Sequence, residues 1–76
     1  MTLEYKYSLT YKGINRYSPP ADSPEAEIMD YMKAVDTSVS ATEVVEDLGY
    51  GPEYVPMVKR LMDQLNLEGA LLKTFG

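Results

Sequence analysis

Cysteine and histidine are both absent from this chain of 76 residues. Without cysteine, no disulfide can form, and no thiolate is present to act as a nucleophile or a metal ligand. Without histidine, the chain lacks the commonest general base and the commonest zinc ligand. We therefore expect no catalytic residues, no metal site and no cofactor, and the stability of the fold has to come from its hydrophobic core.

Long apolar runs are missing as well. No segment approaches the ~18 apolar residues that a membrane-spanning helix requires, and the N-terminus lacks the charged-then-apolar pattern of a signal peptide. A chain of this length suits one small domain, so we expect residues 1–76 to form a single domain. The expected location is the cytoplasm, with no membrane partner.

Basic residues are few, and the net charge is −5. Residues 1–20 carry a net charge of +2, residues 21–55 a net charge of −8, and residues 56–76 a net charge of +1. The two ends of the chain are therefore mildly basic, whereas the middle is strongly acidic. If the fold brings the two ends together, the protein is electrostatically bipolar.

The N-terminal segment alternates strictly between apolar and polar residues. Its apolar positions are Leu3, Tyr5, Tyr7, Leu9 and Tyr11. A period of two over residues 2–12 predicts a half-buried strand, which either ends at Gly13 or continues as a hairpin through residues 14–17. Ser18-Pro19-Pro20 then predicts a connector.

The tyrosines of this segment allow two interpretations. Tyr5, Tyr7 and Tyr11 could form a platform on which single-stranded bases stack. They share a face with the leucines of the same segment, however, and this favours burial against the helices. The tyrosines that lie near predicted loops are better candidates for exposure at an interface. They are Tyr17, Tyr50 and Tyr54.

The first predicted helix begins after Ser23. Its hydroxyl can cap the helix, and Pro24 suits the first helical position because proline has no amide hydrogen to donate. The apolar stripe of this helix consists of Ile28, Met32 and Val35. The spacing predicts that the helix ends at Asp36-Thr37-Ser38.

The second predicted helix carries the clearest local signal in the chain. Ser40 and Glu43 have the spacing of a capping box, in which each side chain accepts a hydrogen bond from the backbone amide of the other. Gly49 lies where a helix often ends in a left-handed residue. The predicted buried face consists of Ala41, Val44, Val45 and Leu48.

The third predicted helix covers about residues 55–65. Pro56 is tolerated only in the first turn, so the helix starts no earlier than about Tyr54. Its apolar stripe consists of Val58, Leu61, Met62 and Leu65. Leu67-Glu68-Gly69 then predicts a turn, and residues 70–75 predict a short final strand.

Two stretches of these helices resemble the winged helix-turn-helix superfamily, in its small prokaryotic, archaeal or viral type. They are SVSATEVVEDLG at 38–49 and VKRLMDQLNLEGAL at 58–71. The resemblance covers residues 24–75 and implies an α+β, three-helix winged-helix-like domain. A usual wing has two strands after the third helix, but here only residues 70–75 follow it. We therefore expect the order β-α-α-α-β, with the N-terminal strand pairing with the C-terminal strand.

The resemblance implies a DNA-binding protein, such as a transcriptional regulator, with the third helix in the major groove of duplex DNA. Two half-sites are the usual route to specificity for so small a domain, so a homodimer accompanies this hypothesis. The alternative is that the basic side chains are ordinary solvated charges, since Asp63 on the same helical face opposes phosphate contact. The candidate DNA contacts are Tyr54, Lys59, Arg60, Gln64, Lys12, Arg16 and Lys73.

A second hypothesis is a protein–protein interaction module that binds a basic protein through its acidic helical face, without contacting DNA. The negative net charge favours it, whereas the family resemblance favours DNA. The nine carboxylates of residues 22–53 lack the spacing of a calcium loop, so a solvated acidic face is predicted. The methionines fall mostly on the apolar stripes, which favours core packing, and the alternative for Met57, beside Pro56, is exposure at a partner surface. The candidate interface residues are Glu43, Glu46, Asp47 and Tyr50.

Overall fold

The chain adopts an α+β fold in a computed structural model that describes residues 4–75. Two strands lie at opposite ends of this range, and four α-helices and one 3₁₀ turn lie between them. In chain order the elements are β1 (Tyr5–Leu9), α1 (Tyr11–Asn15), α2 (Pro24–Val35), α3 (Ala41–Leu48), the 3₁₀ turn (Pro52–Tyr54), α4 (Val55–Leu67) and β2 (Leu71–Phe75).

The two strands pair with each other in an antiparallel sheet, with Tyr5 opposite Phe75 and Leu9 opposite Leu71. This confirms the predicted pairing of the N-terminal with the C-terminal strand. On the other side of β1, the backbone of Tyr7 exchanges two hydrogen bonds with Val39, at 2.8 and 2.9 Å. β1 is therefore the central element, held between β2 and the segment that leads into α3.

The outer edge of β2 has no strand partner within residues 4–75. The backbone amide and carbonyl of Tyr7 point toward Val39, so Tyr7 and the opposite residue Lys73 share no backbone hydrogen bonds. The amide and carbonyl of Lys73 therefore point away from β1, toward the outer edge of the sheet. At the start of the strand, Asn66 Nδ2 donates to the carbonyl of Leu71 at 2.8 Å. A short strand with a lysine at its centre is a common protection against edge-to-edge association.

The prediction for residues 10–17 is wrong. The strand ends at Leu9, and Thr10 caps a short helix instead, because its hydroxyl accepts from the amide of Gly13 at 3.0 Å. Neither a strand to residue 12 nor a hairpin through 14–17 forms. The order within residues 4–75 is thus β-α-α-α-α-β, one helix more than predicted. Residues 2 and 3 of the predicted strand lie outside the described residues.

The two helix starts that were predicted from side-chain caps are confirmed. Ser23 caps α2, and Ser40 and Glu43 form the predicted capping box of α3, with hydrogen bonds of 3.2 and 3.3 Å. α3 ends at Gly49, whose φ of +79° is the left-handed conformation that glycine adopts without strain. α4 begins at Val55 as the position of Pro56 requires, but it runs to Leu67, two residues beyond the predicted end.

One hydrophobic core lies between the sheet and helices α2, α3 and α4. The predicted stripes of the helices supply most of it, and Tyr7 is the sheet's largest contribution. Met57 is 43% exposed, as predicted for a partner surface, whereas Val35, Leu48 and Leu61 are only half-buried. The buried side chains are Tyr7, Ile28, Met29, Met32, Val39, Ala41, Val44, Val45, Val58, Met62, Leu65, Ala70 and Leu71.

Replacing Gly13 with alanine is expected to destabilise the protein by about 1–3 kcal/mol, the usual cost of overpacking. A Cβ at this buried position would lie 2.1 Å from the carbonyl oxygen of Ala70. Helix propensity alone predicts the opposite sign, because alanine is favoured over glycine within a helix. Chemical denaturation measures the change, with Ile14→Ala, an exposed position of the same helix, as control. An unchanged or higher stability of Gly13→Ala would contradict the close approach of α1 to Ala70.

A chain shortened to residues 21–76 is expected to be unfolded. It lacks β1, so β2 loses its strand partner and the core loses the buried ring of Tyr7. Circular dichroism and the dispersion of amide proton resonances measure the outcome. A synthetic peptide of residues 1–12 added in trans is the control, and it should restore part of the folded signal. A shortened chain that folds without the peptide would contradict the central role of β1.

Candidate functional site

The predicted DNA-contact side chains of α4 are exposed, but they face different surroundings. Lys59 borders a cavity beside Tyr5 and Phe75 at the end of the sheet. Arg60, one residue later, borders a separate cavity together with acidic residues from the start of α2 and the end of α4, Glu25 and Glu68. Gln64 lies on the Arg60 side. The outward side of α4 therefore does not present one continuous basic surface.

Asp63 offsets part of the positive charge on the sheet side of α4. Its carboxylate lies 2.9 Å from the Nζ atom of Lys73 and accepts a hydrogen bond of 2.5 Å from the hydroxyl of Tyr7. Burial alone would raise the pKa of Asp63, but these two hydrogen bonds and the nearby charges of Lys73 and Lys59 lower it below its ordinary value. The ammonium of Lys73 also lies 4.3 Å from the centre of the Tyr5 ring. Lys73 thus has its charge matched within the chain.

The remaining basic candidates lie elsewhere. Lys12 and Arg16 are exposed on α1 and at its C-terminal end, and the Lys12 side chain lies beside Gly69, before β2 begins. Lys6 is 3.8 Å from Glu43. The structure therefore brings Lys59 and Lys73 together around Asp63 and leaves Lys12, Arg16 and Arg60 apart from that pair.

The acidic interface candidates lie on α3. Tyrosine hydroxyls interact with carboxylates of α2 and α3. Tyr31 of α2 donates a hydrogen bond to Asp47 of α3. Burial, followed by this hydrogen bond, raises the pKa of Tyr31 to about 12. Interaction with the carboxylate of Glu27 likewise raises the pKa of Tyr50. Glu46 is exposed and contacts no basic side chain among the ion pairs of the described residues.

A groove lies between the start of α2 and the start of α4, and the turn after α3 forms part of its lining. Its volume is about 450 Å³. Its deepest side chains are apolar, and Tyr54 and Met57 stand at its border, 44% and 43% exposed. Its lining includes Asp22 and Glu27 but no lysine or arginine. We call it the α2–α4 groove. Its main lining side chains are Asp22, Glu27, Ile28, Tyr50, Tyr54, Met57, Val58 and Leu61.

The sequence indicated several members of the α2–α4 groove singly but not their proximity. Tyr50, Tyr54 and Met57 were predicted as candidates for exposure, whereas Ile28 and Val58 were predicted only as core. Asp22 and Glu27 carried no specific signal. The groove lies between two helix starts that the sequence does indicate. The start of α2 is marked by a cap, the start of α4 is marked by a proline, and acidic residues lie near both.

Two predicted burials at the sheet are wrong. Tyr7 is buried as predicted, but Tyr5 is 43% exposed and Tyr11 is 74% exposed. Tyr5 lies opposite Phe75 at the end of the sheet, where the two rings pack edge to face at 5.0 Å and the helices cover them incompletely. Tyr11 belongs to α1, so it does not share the strand's inward face. Tyr17 and Tyr50 are half-buried, not fully exposed.

Within residues 4–75, no three histidine, cysteine, aspartate or glutamate side chains lie close enough to hold a metal ion. None of the described helices has the length and apolar character needed to cross a membrane. A comparison of the chain with models of known protein families, with curated proteins and with solved structures finds no match.

The free energy of unfolding is expected to fall as the pH rises from about 10 to about 12. Tyr31 has a raised pKa in the folded protein, so its hydrogen bond to Asp47 contributes fully below the unfolded pKa and is lost as the pH passes the folded one. Tyr7, bonded to Asp63, has a raised pKa and acts in the same direction. Urea denaturation at several alkaline pH values measures this dependence.

Tyr31→Phe and Tyr7→Phe should each flatten the alkaline dependence, and at neutral pH each should cost about 1.5–3 kcal/mol or less, the range for hydrogen bonds to charged groups. Tyr11→Phe is the matched control, because the Tyr11 side chain is 74% exposed. If Tyr31→Phe and Tyr7→Phe keep the wild-type slope, the tyrosine–carboxylate contacts do not stabilise the fold.

Proposed function

We propose that this chain is a non-catalytic protein-interaction module that binds a basic partner through its acidic helical surface. This surface consists of the outward side of α2 and α3 with the turn that follows α3. The observation that carries the proposal is the charge of these two helices, which hold six carboxylates and one lysine. Glu46 and Asp30 are exposed and make none of the ion pairs formed within residues 4–75.

Charge alone favours this proposal over a nucleic-acid partner. Affinity for duplex DNA depends on lysine and arginine side chains that displace counterions from several phosphates at once. Around α4, Lys73 is paired with Asp63, and Arg60 borders a cavity whose lining also includes Glu25 and Glu68. A basic protein partner instead meets a surface on α2 and α3 in which Lys33 is the one cation of the two helices.

A DNA-binding regulator of the winged-helix type is a second candidate, and one observation favours it. Lys59, Arg60 and Gln64 are all exposed on a helix that packs against the core by one side only. In that candidate, β1 and β2 take the place of the two wing strands. No hairpin loop joins them at the Tyr5–Phe75 end, so contact with DNA would depend mainly on α4.

Fluorescence anisotropy with two labelled probes separates the two functions. One probe is a peptide in which leucines are flanked by lysines, and the other is a random-sequence DNA duplex, each titrated from low to physiological salt. The proposal predicts binding of the peptide that weakens as salt rises. Glu46→Lys should weaken it by up to about fivefold, the scale of one exposed charge pair. Glu68→Lys, which changes the net charge equally but lies at the end of α4, should have little effect.

The opposite pattern overturns the proposal. Binding to the duplex that is weakened by Lys59→Ala and by Arg60→Ala, with no binding of the basic peptide, would establish the DNA candidate. Its signature is a steep fall of affinity with salt, and each phosphate-contacting residue removed lowers the slope by about one. Absence of duplex binding at low salt would exclude the DNA candidate.

A further inference from the structure

The α2–α4 groove combines an apolar floor with a border that contains only acidic charges. We infer that it is the docking site for one apolar side chain of a basic protein segment, with lysine or arginine residues on either side of that side chain. This inference rests on the proposed function and deepens it, because it names where the basic partner docks and which residue pattern it carries.

The depth and composition of the groove fit an apolar anchor. Ile28 and Val58 form buried parts of its wall, and Leu61 is half-buried beside them. A volume of about 450 Å³ lies within the usual range of ligand-sized pockets and exceeds the need of one large side chain. Tyr54 and Met57 leave over two-fifths of their surface exposed at its border. An apolar side chain inserted there would remove these surfaces from water, which is the main driving force for association.

The two side chains at the border suit a protein ligand in different ways. The ring of Tyr54 packs against that of Tyr50, with their centroids 5.8 Å apart, so it offers a rigid apolar face with a polar tip. Met57 is unbranched and adapts its shape to the side chain that it contacts. Tyrosine and methionine are both enriched in protein–protein interfaces. Neither contacts phosphate as strongly as lysine or arginine does.

The charges at the border select the residues next to the anchor. Asp22 is exposed before the start of α2, and Glu27 is exposed one turn into that helix. Neither carboxylate takes part in the ion pairs found within residues 4–75, which are Lys6–Glu43 and Lys73–Asp63. A cationic side chain beside the anchor would pair with them. An acidic peptide or a phosphate would be repelled by these carboxylates. The partner segment is therefore expected to be positively charged.

The backbone holds the groove in place without a ligand. Tyr50 donates from its amide to Val45 at 2.9 Å, and Tyr54 donates to Gly51 at 3.0 Å, so the turn between α3 and α4 is fixed by its own hydrogen bonds. On the opposite wall, Ser23 caps the start of α2. A preformed site loses less conformational entropy on binding than one that has to be ordered by its ligand.

The test uses the full chain and the labelled leucine–lysine peptide described above. Met57→Lys places a cation at the border of the groove, so it should lower affinity for the peptide by about tenfold or more, as expected for a contact at the centre of an interface. Leu67→Lys is the matched control, because Leu67 is 81% exposed on the same helix but does not line the groove. It should change affinity by less than about twofold.

A second variant keeps the inference testable if Met57→Lys disturbs folding, which thermal unfolding by circular dichroism detects. Asp22 lies outside the helices, and Asp22→Asn removes one charge from the border of the groove. This variant should lower affinity for the peptide several-fold at low salt and less at high salt. Amide chemical shifts on titration of the wild type should move in residues 22–28 and 49–61 before those of β1 and β2.

The outcomes separate this inference from the proposed function. If Glu46→Lys weakens binding of the peptide but Met57→Lys and Asp22→Asn do not, the proposed interaction function stands and the peptide does not bind in the groove. If the wild type binds no basic peptide, both are overturned. If the wild type is a dimer that Met57→Lys converts to a monomer, a second copy of the chain occupies the groove, and the inference is overturned.

Discussion

The antiparallel pairing of β1 with β2 is the interaction on which the rest of the structure depends, and Tyr7 lies at its centre. On one side of β1 the backbone of Tyr7 bonds to Val39, and on the other side Lys73 lies opposite it. Its ring is buried under the helices, and its hydroxyl reaches Asp63 on α4. Two paired strands alone are marginally stable in water, so the sheet and the helices that cover it stabilise each other.

This pairing also determines where the charges of the molecule lie. It joins the two mildly basic ends of the chain, as the bipolar arrangement requires, but it places Lys73 beside Asp63 and brings Lys6 near Glu43. Two cations at the basic end, Lys6 and Lys73, are therefore paired with carboxylates of the same chain. Apart from Glu43, the acidic residues of α2 and α3 take part in neither of these ion pairs, and the proposed function therefore assigns a basic partner to that side. The α2–α4 groove adds an apolar site within this acidic surface.

Much of the local structure could be predicted from the sequence, and much of the candidate site could not. Capping boxes, left-handed glycines and prolines act over three or four residues, so Ser40, Gly49 and Pro56 predict helix ends without knowledge of the fold. Alternation likewise predicts a strand, but it does not say what covers each face. Tyr5 and Tyr7 follow the same pattern, yet Tyr7 lies beneath the helices and Tyr5 lies at the end of the sheet, where cover is incomplete.

The sequence by itself determined the three main helices and the two terminal strands, because these follow from local hydrogen bonds and residue patterns, and the missing second wing strand predicted that the two strands pair. The tertiary structure alone decided the packing of α1 against Ala70, the pairing of Lys73 with Asp63 and the α2–α4 groove. Each of these requires contacts between distant parts of the chain: Thr10 with Ala70, or Tyr7 with Asp63, 56 residues away. The sequence determines the charge of a side chain, but the tertiary structure determines whether an opposite charge lies next to it.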